Sequence, residues 1–370
     1  MVRVLRSGWL LLSRETALFE KEFAQYMGAG QAVLTNSCTS AIQLALVLAG
    51  VGGGDEVITT PLSYVATANP ILHCGATPVF VDVEPTTGLI DARRVEQAIS
   101  KRTRAILPVH LYGQMADMKA LKKIADRNGL VLIEDAAHAI ESRRDGVAPG
   151  ELGFAACFSF HTSKNITAGQ AGALVTNNRR HAEHARILRR DGVKNIGVKR
   201  RMVDLGYKCL TTEFVAALLR SQLHRIDAQW ATRRRIYQRY AASLRRLGVD
   251  FNQVLPNSRH AYHMIVLWVP PPRRDATIQR LADAGIHTSI HYDPIHLEPY
   301  YRKRFGYKPG DFPIAERLGR STITLPLHPL LTAREQNYLI GTLEKIFAPA
   351  RAPARAPARA AKRPKRVRIR

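Results

Sequence analysis

Acidic residues are scarce in this chain. Its 370 residues include 30 Asp and Glu against 55 Lys and Arg, a formal charge of +25. That balance raises the question of a nucleic-acid or other polyanionic partner. Cysteine is scarcer still. Cys38, Cys74, Cys157 and Cys209 are the only four, with no close pairing and no metal-ligand spacing. This excludes a disulfide scaffold and a thiolate metal site, and predicts a reducing compartment. No apolar run approaches the length of a membrane span. The start, MVRVLRSGW, lacks the apolar core of a signal peptide. These absences predict a cytoplasmic protein with no membrane partner. Apolar residues as a class are not lacking. At 46% hydrophobic the chain can bury a sizeable core, and its length exceeds the usual single-core size, so two domains are expected.

Part of the positive charge is local. From Ala348 to Arg370 the chain reads APARAPARAPARAAKRPKRVRIR, with nine basic residues and no acid, and the body without it still carries +16. Regular Pro and the near absence of apolar side chains large enough to form a core predict a disordered, extended tail over 348–370. Non-specific polyanion binding is open to such a segment. A solvated appendage unrelated to catalysis is the simpler reading. The run KRPKR resembles a nuclear localisation patch, but short basic runs are common by chance.

The chemistry is concentrated in two stretches. Phe158 to Ala173 reads FSFHTSKNITAGQAGA. It predicts a buried strand over Cys157 to Phe160, a polar turn, and a second apolar strand over Ala171 to Thr176. Lys164 stands alone in that turn among small and polar residues. Partial desolvation lowers a lysine's pKa and frees its amine to attack a carbonyl, which a Schiff-base lysine requires. Upstream, Leu130 to Ser142 reads LVLIEDAAHAIES. Leu130 to Glu134 has the mostly apolar character of a strand buried in a parallel sheet, and it ends in Asp135. A carboxylate at the carboxyl end of a parallel strand sits where open α/β sheets bind ligands. Alone, Asp135 reads equally well as a helix cap. Paired with Lys164, it suggests pyridoxal 5'-phosphate (PLP), with the lysine on the aldehyde and the carboxylate holding the ring nitrogen protonated.

The pair EDAAHA and CFSFHTSKNITAG resembles the DegT/StrS-type sugar aminotransferases, PLP enzymes of the aspartate-aminotransferase fold type. Further matches follow in order: TNSCTSAIQLAL, GGGDEVITTPLSYVATAN, PVFVDVEPTTGLID, PVHLYGQMADM, HAYHMIV, HYDPIHLEPYY and LPLHPLLT. The resemblance spans Leu5 to Phe347, and its collinearity makes it more specific than any one motif. It implies an α/β fold with a large PLP-binding domain (1–227) built on a mostly parallel sheet, and a smaller C-terminal α/β domain (228–347). It also implies a homodimer with shared active sites, acting in amino-sugar and cell-surface polysaccharide biosynthesis. The implied reaction moves an amino group from an amino acid, glutamate, to a nucleotide-linked keto-sugar through an internal aldimine on Lys164, which also moves the proton. Asp135 would keep the ring an electron sink.

Other residues acquire implied roles in the same way. Thr39 and Ser40 would hold the PLP phosphate at the start of a helix, where N–H groups and the dipole favour an anion. An ordinary Ser/Thr cap would look the same. Tyr64 would stack on the ring, against plain packing without the resemblance. His138 would lie near the ring oxygen, against a turn histidine satisfied by backbone. Ser159 would bond the phosphate, and Lys208 would reach a phosphate across the subunit interface. The chain departs from the family pattern at Ser13 and Arg14 in place of Gly-Pro. Less chain than usual precedes its Leu-Arg-Ser-Gly-Trp segment. Gln170 and Ala171 replace Glu-Gly, Asp191 replaces a histidine, and Leu210 stands where Arg or Asn is usual. These departures bear on substrate preference.

Periodicity supplies the rest. Strands are expected at Gln31–Thr35, Asp55–Thr60, Pro78–Val83, Ala105–Val109 and Ala261–Val269. Helices are expected at 61–72, 91–100, 117–128, 274–284 and in one long stretch, 212–247, with the arginines at 233–235 on its solvated face. Pro270 to Pro272 reads as a turn. The histidines of HYDPIH are not spaced for metal on a helix, and Pro294 argues against a helix there. Two other readings compete. A related PLP sugar dehydrase carries histidine in place of the anchoring lysine, so Lys164 counts against it. A non-catalytic regulatory or polyanion-binding relative is favoured by the tail and Leu210.

Overall fold

The computed structural model describes residues 1–348. The tail reading therefore lies outside the described residues, save for Ala348. Seven strands form the main sheet: β1 (Gln31–Thr35), β2 (Glu56–Thr59), β3 (Thr77–Phe80), β4 (Thr103–Leu107), β5 (Val131–Asp135), β6 (Ala155–Ser159) and β7 (Gly172–Thr176). Their spatial order is β1-β7-β6-β5-β4-β2-β3. All pairings among β2 to β6 are parallel, whereas β7 runs antiparallel to both β1 and β6.

Both faces of this sheet are covered, so its strands read as apolar runs rather than alternations. The pleat still sorts the side chains. Ala156 and Phe158 of β6 point to the layer holding Phe19 and Phe23 of the helix Arg14–Met27. Ala155 and Cys157 point to the layer holding Ile42, Ala45 and Leu46 of the helix Cys38–Leu48. Phe23 meets Phe158 edge-on at 5.2 Å and Phe160 at 5.4 Å, the geometry favoured by ring quadrupoles. Truncating any one of these fully buried rings to alanine should cost ~3–5 kcal/mol.

Beyond the main sheet lies an exposed hairpin, β8 (Val193–Ile196) with β9 (Lys199–Met202), turned at Gly197 with φ +58°. Its polar, uncovered strands gave no apolar signal. A second antiparallel sheet, β10 (Asp250–Phe251), β11 (Ile265–Trp268) and β12 (Thr322–Leu325), packs against the helices Ile226–Arg246 and Ala333–Phe347. Among the described residues no helix is long and apolar enough to cross a membrane.

Several local readings change. The stretch 61–72 is not one helix. It is a 3-10 turn, Val65–Thr67, then a short helix, Asn69–His73, whose second residue is Pro70. Proline lacks an N–H and fits only the first turn of a helix, so the helix begins there. Pro271 likewise opens the helix Pro271–Asp283 instead of closing a turn. The expected strand 261–269 shortens to 265–268, because Ala261 and Met264 donate to the carbonyls of Gly113 and Tyr112. The long helix 212–247 breaks at His224 and Arg225 into Glu213–Leu223 and Ile226–Arg246. Arg233 is not on a solvated face. It is 5% exposed, and its guanidinium donates to the carbonyl of Asn165.

Candidate active site

The parallel strands deliver their following segments to one edge of the sheet. β5 ends in Asp135 and turns through His138. β6 ends in Ser159 and leads into the turn that carries Lys164. The segment after β2 brings Ser63, Tyr64 and Thr67, and the helix after β1 brings Cys38 and Thr39. With His291 and Tyr292 from the C-terminal part, these residues line one cavity of about 460 Å³. This is the carboxyl edge, where open α/β sheets bind ligands. A larger cavity of about 690 Å³, near Trp268 and Arg317, has Asp250 as the only carboxylate among its described residues, and that residue is exposed. The smaller cavity is the chemical one.

Asp135 is 5% exposed. Its Oδ2 accepts from the Thr67 hydroxyl at 2.7 Å and its Oδ1 from the Ala137 N–H at 3.1 Å. With Thr67 donating to the carboxylate, the Ser63 hydroxyl donates to Thr67 at 2.7 Å. These donors are uncharged, so burial dominates and holds the Asp135 pKa above the usual carboxylate range. The carboxylate is oriented but short of a cation. Lys164 is half-buried, and burial brings its amine down from 10.5 to about 8, against the smaller opposing pull of Cys38 and Asp135. Burial and the Lys164 charge keep His138 neutral, with its pKa well below the usual range. The Tyr112 N–H donates to His138 Nδ1 at 3.3 Å, which puts the ring proton on Nε2, facing the Tyr292 hydroxyl at 3.3 Å.

The corner beside β7 is built for close backbone approach. Ser37 caps the helix Cys38–Leu48, its hydroxyl accepting from the Ser40 N–H at 3.1 Å. Among the described residues the N–H groups of Cys38 and Thr39 have no hydrogen-bond partner. Gly172 lies against them. A Cβ there would sit 2.3 Å from the Cys38 nitrogen, so only glycine lets β7 pass.

Six residues expected at a site therefore surround one cavity: Thr39, Tyr64, Asp135, His138, Ser159 and Lys164. Tyr64 is 61% exposed, with an open ring face. Two do not join them. The hydroxyl of Ser40 faces Asn36 at 2.7 Å and its N–H is used by the Ser37 cap. Lys208 is exposed and lies 3.8 Å from Asp191. Thr67 and Tyr292 were missed. Thr67 falls in a stretch misread as helix, and Tyr292 lies in the HYDPIH segment, which the resemblance puts near the mouth of the site without giving the tyrosine a role.

The sequence profile of the DegT/DnrJ/EryC1/StrS aminotransferase family matches residues 1–344. The chain belongs to this family. It is 38% identical over 361 residues to the spore coat polysaccharide biosynthesis protein SpsC of Bacillus subtilis, covering 94% of this chain and 93% of that one. It is 38% identical over 335 residues to GDP-perosamine synthase of Caulobacter vibrioides, with 89% of each chain covered. Among solved structures, the putative sugar aminotransferase Spr1654 of Streptococcus pneumoniae in its PLP form superposes with a TM-score of 0.89 at 30% identity, over 93% of this chain and 94% of that one. The mixed α/β architecture is thus that of its aminotransferase relatives.

Proposed function

We propose that this aminotransferase uses PLP to move an amino group from glutamate to a keto group on a nucleotide-linked sugar. The observation that carries the reading is the convergence of Lys164 and Asp135 on one cavity at the carboxyl edge of a parallel sheet. The name of GDP-perosamine synthase supports a nucleotide-sugar substrate, and the PLP form of Spr1654 supports the cofactor. SpsC supports a place in polysaccharide biosynthesis.

The cavity fits the cofactor in three respects. Asp135 offers a desolvated anion where a protonated ring nitrogen needs one. The start of the helix Cys38–Leu48 offers free N–H groups, with the Ser159 and Thr39 hydroxyls, for a phosphate. Tyr64 offers an exposed aromatic face, and His138 a neutral ring beside it. When bound, PLP supplies an electron sink for charge developing at the substrate's α-carbon. The protein's part is proton management and placement. Lowering the Lys164 pKa from 10.5 to about 8 raises its unprotonated fraction at neutral pH by about 300-fold, one factor of ten per unit. Its Nζ can then take up and return a proton within the cavity. The Ser63–Thr67–Asp135 chain fixes the carboxylate's orientation before anything binds.

The reading includes a homodimer. Leu5, Trp9, Leu11, Ile196, Val198 and Leu205 are large apolar side chains left exposed on the N-terminal segment and the β8–β9 hairpin region. A second copy of the chain would cover them. Lys208, exposed close to that hairpin, would then reach the partner's phosphate site. The cysteines within the described residues are all unpaired, which fits the cytoplasm. Borohydride reduction of the purified protein followed by peptide mapping should place a pyridoxyl group on Lys164. Modification of other lysines alone would refute the assignment.

A further inference from the structure

Beneath Lys164 lies a buried polar network that the proposed chemistry does not use. Glu141, Asn165, Arg233 and His263 are all buried. Asn165 follows Lys164 directly in the chain. Its Nδ2 donates to Glu141 Oε1 at 2.9 Å, to Oε2 at 3.0 Å and to the Ala261 carbonyl at 3.0 Å. Arg233 donates to the Asn165 carbonyl at 2.8 Å. With the amide oriented by three acceptors, Asn165 Oδ1 is left to accept from His263 Nδ1 at 3.0 Å.

The proton on His263 is therefore placed. Nδ1 carries it, and burial with the nearby charges of Lys164 and Arg233 keeps the ring neutral. Nε2 is then a bare acceptor, buried and without a partner among the described residues. The His263 ring lies 4.5 Å from that of His138, on the cavity wall. Other buried histidines carry the opposite form. His110, His138 and His260 accept a backbone N–H on Nδ1, and His296 presents Nε2 to the Glu316 carboxylate. Each of these four has its proton on Nε2.

An uncompensated buried acceptor is costly, and a fully specified network is kept where it fixes a geometry. We propose that Asn165 is a positioning residue: anchored by Glu141 and Arg233, it holds Lys164 through their shared backbone. By fixing His263 in its Nδ1–H form, it also sets a bare acceptor nitrogen behind His138. The proposal rests on Lys164 and His138 being active-site residues, but its first test is independent of turnover.

That test is histidine-selective 15N NMR on the full-length protein, with the His263 signal identified by its loss in His263→Gln. His263 should show the Nδ1–H form, unlike the other buried histidines. Asn165→Asp keeps an acceptor for Nδ1 and, with a proton shared with Glu141 in place of the lost amide N–H, should preserve that form. Asn165→Ala removes it, and His263 should revert to the Nε2–H form that free imidazole favours. In Asn165→Ala, kcat should fall ~10–100-fold, the scale of losing a residue that orients a functional side chain, with KM nearly unchanged. An Nε2–H His263 in the unaltered protein would overturn the proposal. So would an unchanged form, or an unchanged kcat, in Asn165→Ala. If that variant does not fold, the wild-type and Asn165→Asp spectra still decide the tautomer. Failure of the aminotransferase reading itself would appear instead as an absent pyridoxyl-Lys164 with the tautomer intact.

Discussion

Gly172→Ala tests the geometry of the cofactor corner most sharply. The added methyl would lie 2.3 Å from the Cys38 nitrogen and the Ser37 carbonyl carbon, and 2.5 Å from the Ser37 oxygen, where ordinary contacts begin near 3.4 Å. All three obstacles are backbone atoms, so no side chain can rotate away. Either β7 or the start of the helix Cys38–Leu48 must move by roughly 1 Å. Overpacking of this kind costs ~1–3 kcal/mol of stability. A shift of that size also carries an N–H···O bond of ~2.9 Å beyond bonding distance. Each lost bond to a charged phosphate is worth ~1.5–3 kcal/mol, or a ~10–150-fold weaker PLP affinity. The assay is a PLP titration of the apoprotein by visible absorbance, alongside its Tm. Gly53→Ala, with nothing within 4 Å of the new methyl, serves as the control and should change neither. If Gly172→Ala bound PLP as tightly as the unaltered protein, the phosphate would not sit at this helix start.

Three further expectations follow from the same site. Asp135→Asn should bind PLP but lose ~10²–10⁴-fold in turnover, since an amide cannot hold a ring nitrogen protonated; near-normal turnover in the folded variant would remove Asp135 from its role. In the apoprotein, Lys164 should react with an amine-directed reagent with a midpoint near its pKa of about 8, well below surface lysines; a midpoint near 10.5 would show that the turn is solvated. Burial pushes the Glu141 carboxyl from 4.5 up to about 7. The folded state therefore binds that proton more tightly than the unfolded chain between those values. Stability from this group is fullest below 4.5 and falls as pH rises toward 7, by about 3 kcal/mol in all. Urea unfolding of the unaltered protein and Glu141→Gln should show the first losing ground to the second across that window, and parallel pH profiles would contradict it.

Much of this was written locally. The alternation of apolar runs and helical periodicities identifies a mostly parallel sheet, because burial on both faces of a strand requires such runs. Lys164 and Asp135 are legible because each ends or follows a strand in a distinctive setting of small residues. The start of the helix after β1 is only partly legible: small polar residues mark a helix start, but not that Ser37 is the cap and that Ser40 turns to Asn36. Local pattern also misled where a single residue decided the backbone, as at Pro70 and Pro271.

What tertiary structure alone decided are the pairings between distant residues. Nothing in the periodicity of 212–247 marks Arg233 as the arginine that turns inward, because its compensation comes from Glu141 and Asn165 on other segments. Asn165 and His263 are 98 positions apart, and the proton on His263 is fixed only by an amide whose orientation depends on Glu141, from a third segment, and on the Ala261 carbonyl. Thr67 becomes the donor to Asp135 only when the loop after β2 folds over the end of β5. A hydrogen bond depends on distances of a few tenths of an ångström between groups brought together by the whole fold. Sequence spacing records which face a side chain takes, and not what stands opposite it.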